Sequence, residues 1–519
     1  MKQAERGMIL ALLAGVAAPG VAVPVPVPVA PVRPGTPVGD PRAAIAEAFA
    51  LGQAGDCRGA LAKLDPLAAT LPQGSVRNSV QLLRLNCLGP AGRGAELGAV
   101  QQELVVADPR NPIVRGFGVM IAADAGDMKT AGQQLAMLAE QTPAGLTGIS
   151  GRLWRAVAQR LTQTGETALR DRISVALARA DWQPGDLPAL RSEVAESAIE
   201  VLLRRGEVAE AELLLPRVTA PESLFEMAIT RVHAPVWRQL EAQMGPQSGS
   251  AVDLFARDRL AAFTATPDDL AARHGAVRAF LLLGRYAEAS ETAESVAVID
   301  GMDEDAVAIV RLDAQAQRMT GGRAAAIARL QPFATLDLAR TPVAVSGTIA
   351  LAEALDEAQR GAEALTTARA ALTRGAAALS PWGTGWLQRT EVCALATLGR
   401  RAEAGSAAAA LRAKASDNPA AAIEASLCAG QGDAAVPVLQ AALATEDGPA
   451  RLADQFQPAG AYWAGSESRL RDYWAAFLKR PAVKAAFERS ARILPKSLWP
   501  GTEPRPIPRG ETGRLSSTT

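Results

Sequence analysis

The sequence predicts an all-α protein: an α-α superhelix, or solenoid, of about ten stacked helix pairs with an aromatic-rich C-terminal cap. Three observations carry that expectation. First, residues 276–295 read as two short helices back to back: Val277, Phe280 and Leu281 form an i, i+3, i+4 apolar stripe, Gly284 interrupts it, and Ala289, Ala293 and Val296 begin another. A hairpin of that size cannot bury both its faces alone, so it requires similar neighbours on either side. Second, the 519 residues are 49% apolar, rich in Ala and Leu, and only 4% aromatic, which suits close-packed helices better than sheets. Third, a Gly followed five residues later by Ala recurs through the chain at near-regular intervals.

The chain begins with a stretch that reads as a secretory signal peptide over residues 1–22. Lys2 and Arg6 supply the positive start, Met8 to Ala18 an uncharged apolar segment, and Gly20, Val21 and Ala22 a small-residue cleavage site. Pro19, Pro24, Pro26, Pro28 and Pro31 interrupt the apolar run, which argues against a membrane-spanning helix. The first cysteine is Cys57, so no cysteine is placed to carry a lipid at the mature N-terminus. The expected location is periplasmic or secreted, and not as a lipoprotein. Residues 23–41 follow as a linker: seven prolines between Pro24 and Pro41 favour an extended polyproline II spacer or, alternatively, a docking peptide for a proline-binding groove.

Residues 42–447 carry the repeats. The Gly and Ala pairs are Gly55 and Ala60, Gly126 and Ala131, Gly206 and Ala211, Gly284 and Ala289, Gly321 and Ala326, and Gly399 and Ala404. Successive glycines lie 71, 80, 78, 37 and 78 residues apart, one or two multiples of a period between 35 and 40. Weaker units fit the longer gaps around Gly92, Gly165, Gly249 and Gly361, and a last one near Gly432, giving ten or eleven pairs. The Gly ends the first helix of a pair, and the small Ala lets the second helix lie close against it.

These residues resemble the tetratricopeptide repeat (TPR) family. In LGRYAEASETAE, Leu283 to Glu294, Gly284 and Tyr286 match the family's turn and Ala289 its small position in the second helix; Leu398 to Pro419 is the next best match, with Ala404 in the small position. The period here exceeds the family's 34, and the stretch from Gly206 to Ala276 departs from the pattern. The resemblance implies a right-handed superhelix whose concave surface binds a protein or peptide partner.

The formal charges balance, 54 basic against 54 acidic, leaving no global field for nucleic acid or an anionic membrane. Only two histidines occur, His233 and His274, neither beside a second ligand at metal spacing, and no Walker loop or dinucleotide fingerprint is present. Ser150 and Ser466 lack the flanking glycines of a nucleophile elbow. No catalytic, cofactor or metal residues are assigned. Cys57, Cys87, Cys393 and Cys428 fall as two pairs roughly one repeat apart, which permits disulfides Cys57 to Cys87 and Cys393 to Cys428 in an exported protein; four buried thiols are the alternative.

The composition changes at residues 448–499. Eight of the 21 aromatic residues fall between Gln455 and Trp499. Tyr462 and Trp463 lie eleven residues before Tyr473 and Trp474, three helical turns, so a continuous helix would place them on one face. Such a module closes the last repeat as a cap; a partner-binding patch at those four residues is the sharper reading. Residues 500–519 lack an apolar period and read as a disordered tail. The function expected is an exported, non-enzymatic, TPR-like interaction scaffold serving a cell-envelope assembly or export system. The alternative is a glycan- or ligand-binding helical toroid, possibly enzymatic, with Trp382 and Trp386 as an aromatic platform.

Overall fold

The computed structural model describes residues 41–465 and 468–508. The signal peptide and all of the linker up to residue 40 lie outside them, and Pro41 is the first residue of the first helix rather than the last of the linker. The described residues form α-helices and short 3-10 turns, with no strand among them beyond one isolated antiparallel bridge, Thr230 to Ala491. None of these helices is long and apolar enough to cross a membrane. The described residues divide into two compact units, with the boundary between Val201 and Leu202.

Unit 1 stacks helix pairs Pro41–Gln53 and Cys57–Thr70, Ser75–Leu88 and Gly94–Ala107, Pro112–Asp124 and Met128–Gln141, and Gly151–Gln163 and Thr167–Arg179; Leu190–Arg204 runs across the boundary. One turn shows why the sequence breaks where it does. Gly55 adopts a φ of +81°, closed to most side chains, so the Gly55 amide reaches the Gly52 carbonyl (3.1 Å) and the Asp56 amide the Leu51 carbonyl (2.9 Å). This is a Schellman closure. The Asp56 carboxylate then accepts from the Gly59 amide and caps the next helix, so two adjacent residues end one helix and start another. Asp127 repeats the arrangement after Gly126.

The turn inside each pair carries a residue of positive φ, at positions 55, 92, 126, 165, 206, 245, 284, 322, 359, 399 and 430, in steps of 31 to 41 residues. Eleven pairs result. Four expected positions move: Gly322 rather than Gly321 takes the positive φ (+83°), Gln359 (φ +60°) turns the chain ahead of Gly361, and Gly245 and Gly430 take it in place of Gly249 and Gly432, which each begin the following helix. Ala60, Ala131, Ala211, Ala289, Ala326 and Ala404 are all buried where the second helix meets its neighbours.

Unit 2 continues with Val208–Leu214, an interpolated Pro221–Ile229, then Trp237–Met244 with Gly249–Ala265, Leu270–Leu282 with Tyr286–Ala293, Glu304–Thr320 with Arg323–Leu330, Val345–Glu357 with Gly361–Arg374, Pro381–Thr397 with Arg401–Arg412, and Pro419–Cys428 with Gly432–Leu443. The C-terminal module only partly matches a cap. Helices Arg469–Leu478 and Pro481–Ser490 do pack on the last pair, burying Trp474, Phe477, Val483 and Phe487. The chain then returns to the start of the unit. The Arg492 amide donates to the Ile229 carbonyl (2.8 Å), and its guanidinium bonds Glu241 (2.7 Å) and lies 3.6 Å from the Trp237 ring centroid. Ser248 Oγ donates to the Leu498 carbonyl (2.6 Å). The segment expected to be a free tail from residue 500 is instead packed to residue 508: the Arg505 amide donates to the Leu283 carbonyl (2.8 Å), and its guanidinium pairs with Asp253 (2.6 Å). Residues 509–519 lie outside the described residues. Unit 2 is therefore closed on itself by its own C-terminal segment.

Candidate ligand cavity

The first helices of four successive pairs in unit 2 each turn one stripe away from the core. On Leu270–Leu282 the stripe carries His274 and Arg278, on Glu304–Thr320 Arg311, Gln315 and Arg318, on Val345–Glu357 Glu353 and Glu357, and on Pro381–Thr397 Trp382, Trp386 and Arg389. Spacings of three, four and seven residues put each set on one face. The C-terminal segment covers this surface with Arg451, Asp454, Tyr462, Trp463 and Arg471, leaving two cavities of about 590 and 610 Å³. Both are lined by Arg278, Leu312, Gln315, Tyr462 and Trp463, so they adjoin. Each falls within the ~300–1,000 Å³ usual for small-molecule sites.

Charge inside is mostly, but not wholly, paired. Arg278 pairs with Glu222, and Arg389, 3% exposed, with Glu353 and with Glu424 (3.1 Å). Burial opposes the charge on Arg389, and the surrounding carboxylates outweigh it. Arg471 donates to the Gln457 carbonyl (3.0 Å) and stacks 4.3 Å from the Tyr462 ring centroid. Burial pushes the Asp454 carboxyl up to about 6, and pushes Glu357 up as well with Asp356 adding to it. Arg318 is pulled down by burial, and Glu357 offsets this only in part.

No protein-family model matches the chain, and no curated protein matches it. Among solved structures, the chain is similar to the P58(IPK) TPR domain crystal structure at 11% identity, over 85% of this chain and 99% of that one, with a TM-score of 0.20. The helix-pair architecture stands on the chain's own turns and packing.

The structure separates the residues singled out in the sequence. Tyr462, Trp463, Tyr473 and Trp474 do not form one exposed face, because the segment is not a continuous helix: a 3-10 turn, Ala459–Ala461, precedes the helix beginning at Arg469. Tyr462 and Trp463 lie against Phe225, with ring centroids 5.1 and 6.2 Å away, whereas Trp474 is buried against Phe456. Cys57 is joined to Cys87 in unit 1 and Cys393 to Cys428 in unit 2. Trp382 and Trp386 share a cavity with Glu222 and Asp454, a meeting that sequence distance concealed. No group of three or more His, Cys, Asp or Glu among the described residues is placed to hold a metal ion.

His233 lies away from the cavities, with Nδ1 2.8 Å from Thr230 Oγ1 and the ring buried. Burial, aided by Arg204, pulls its pKa down to about 4. Between roughly pH 6.5 and 4 the unfolded chain therefore binds a proton the folded one refuses, and stability falls as pH falls. Over that window the loss reaches about 3 kcal/mol. Asp454 acts in the opposite sense, since its raised pKa makes the folded chain the better proton acceptor between about 3.8 and 6. Denaturation of His233→Asn across pH 7 to 4 should show the His233 slope removed and the Asp454 slope uncovered; an unchanged slope contradicts the assignment.

Proposed function

We propose that the chain is an exported, non-enzymatic interaction scaffold of TPR-like repeats that binds a protein or peptide partner in a cell-envelope assembly or export system. The observation that carries this reading is the recurrence, among the described residues, of eleven helix pairs at near-constant spacing along the sequence, the local unit from which recognition surfaces of this kind are built. Two disulfides, one in each unit, support an oxidising compartment. The test is crosslinking of the tagged full-length protein in its native cells, followed by purification. A discrete envelope protein recovered in near-equal amount is the expected result; recovery of the protein alone overturns the scaffold.

A second reading is favoured for unit 2. The surface that would receive a peptide is partly covered by the C-terminal segment of the same chain, and what remains is a pair of half-open cavities lined by arginine, tryptophan and tyrosine. That arrangement suits a small ligand better than an extended one. Unit 2 is accordingly read as a ligand-binding toroid carried by the scaffold.

A further inference from the structure

We propose that the interior of unit 2 binds a sugar-sized organic oxyanion, with its anionic group on Arg318 and its body against Trp463 and Tyr462; this rests on the reading of unit 2 as a ligand-binding toroid. Three features of the 590 Å³ cavity point there. The first is Arg318 itself. Its Nε atom is buried without a hydrogen-bond partner, and no ion pair reaches the guanidinium among the described residues. A guanidinium stays charged at any working pH, so leaving one largely desolvated and unpaired is unfavourable unless a bound group completes it.

The second feature is the surplus of positive charge. Five arginines face this cavity; Arg278 is paired with Glu222 and Arg389 with Glu353 and Glu424, which leaves Arg311, Arg318 and Arg471 against Glu357. Arg311 stands seven residues before Arg318, two turns along the same face, and has no ion pair among the described residues. The planar guanidinium fork matches a carboxylate or a phosphate equally well. The third feature is the aromatic pair on the C-terminal segment. Trp463 and Tyr462 line both adjoining cavities, so a molecule held by its charge at Arg318 has a flat apolar surface beside it.

Calorimetric titration of the full chain with glucuronate, glucose 6-phosphate and uncharged glucose tests the proposal, with wild type and Arg318→Gln compared. At least one charged sugar is expected to bind ten or more times tighter than glucose, and Arg318→Gln to lose at least tenfold of that affinity. Whichever probe binds names the source of the oxyanion, carboxylate or phosphate ester. Equal binding of glucose and the charged sugars overturns the oxyanion inference and leaves the toroid standing; no binding of any sugar overturns both. Thermal melting of the ligand-free proteins supplies an independent readout. An unpaired charge awaiting a ligand predicts that Arg318→Gln melts at or above the wild-type temperature, and a melt several degrees lower overturns the proposal by making Arg318 structural.

Discussion

Replacing Trp474 with alanine is expected to destabilise the protein by about 5 kcal/mol. The side chain is among the largest fully buried ones, 1% exposed, and its ring meets Phe456 edge-on at 4.8 Å between centroids and Phe477 at 6.1 Å. Truncating a buried tryptophan removes its contacts and leaves a cavity, which costs about 3–5 kcal/mol. A second loss is specific to this position. Trp474 Nε1 donates to Glu424 Oε1 (2.9 Å), and Glu424 is itself buried beside Arg389. Removing the donor leaves a carboxylate oxygen unsatisfied in a dry site, for a further ~1–3 kcal/mol. Trp474→Phe separates the two contributions, because it keeps most of the ring and loses only the N–H, so a loss of about 2 kcal/mol is expected. Urea denaturation of both variants reads the difference; a Trp474→Phe midpoint equal to wild type would show that the bond to Glu424 contributes nothing.

The position of Trp474 also shows where sequence reading stopped. Composition marked the C-terminal module as aromatic and able to close the repeats, and the helices at 469–478 and 481–490 do pack on the last pair. The return of residues 491–508 to the first helices of unit 2 left no local signal, because its bonds join residues 220 to 264 positions apart, such as Arg505 to Leu283 and Arg492 to Ala228. The same return explains the stretch from Gly206 to Ala276. Its apolar surface is completed by the chain's own end, so it is free of the pattern that keeps one repeat fitted to the next. Pro221, Pro235 and Pro246 break it into shorter pieces instead.

The turns were readable because they are local. Each needs a residue tolerant of positive φ, and those at Gly55 and Gly126 add an aspartate cap on the next residue; both leave residue-type signatures. The exception at Gln359 is instructive, since an ordinary side chain occupies the left-handed region there and Gly361, two residues on, drew attention in its place. The cavity was unreadable for the opposite reason. Arg278, Arg318 and Arg389 are individually ordinary residues on helical stripes, and only the C-terminal segment laid over them, which brings Arg471 with it, turns an open face into a partly covered one.

Breaking the Cys393–Cys428 bond is expected to lower stability by about 4 kcal/mol, the loop-closure entropy for a crosslink of this span. The bond joins residues 35 apart, and it ties helix Pro381–Thr397 to helix Pro419–Cys428. Those helices carry Arg389 and Glu424, so the crosslink lies beside the buried ion pair and the wall that holds Trp382 and Trp386. The joint variant Cys393→Ala and Cys428→Ala should unfold at lower urea than oxidised wild type. Reduced wild type should match the variant, itself measured under the same reducing conditions so that Cys57–Cys87 is open in both, to within about 1 kcal/mol, since the main effect of the bond is to restrict the unfolded chain and reduction leaves the side-chain volume nearly unchanged. If oxidised and reduced wild type share one midpoint, these cysteines are buried thiols and the bond contributes nothing. The Cys57–Cys87 bond spans 30 residues in unit 1 and predicts almost the same loss, because the entropy grows only with the logarithm of loop length. A marked inequality between the two would then report strain or residual structure at one site, not loop size.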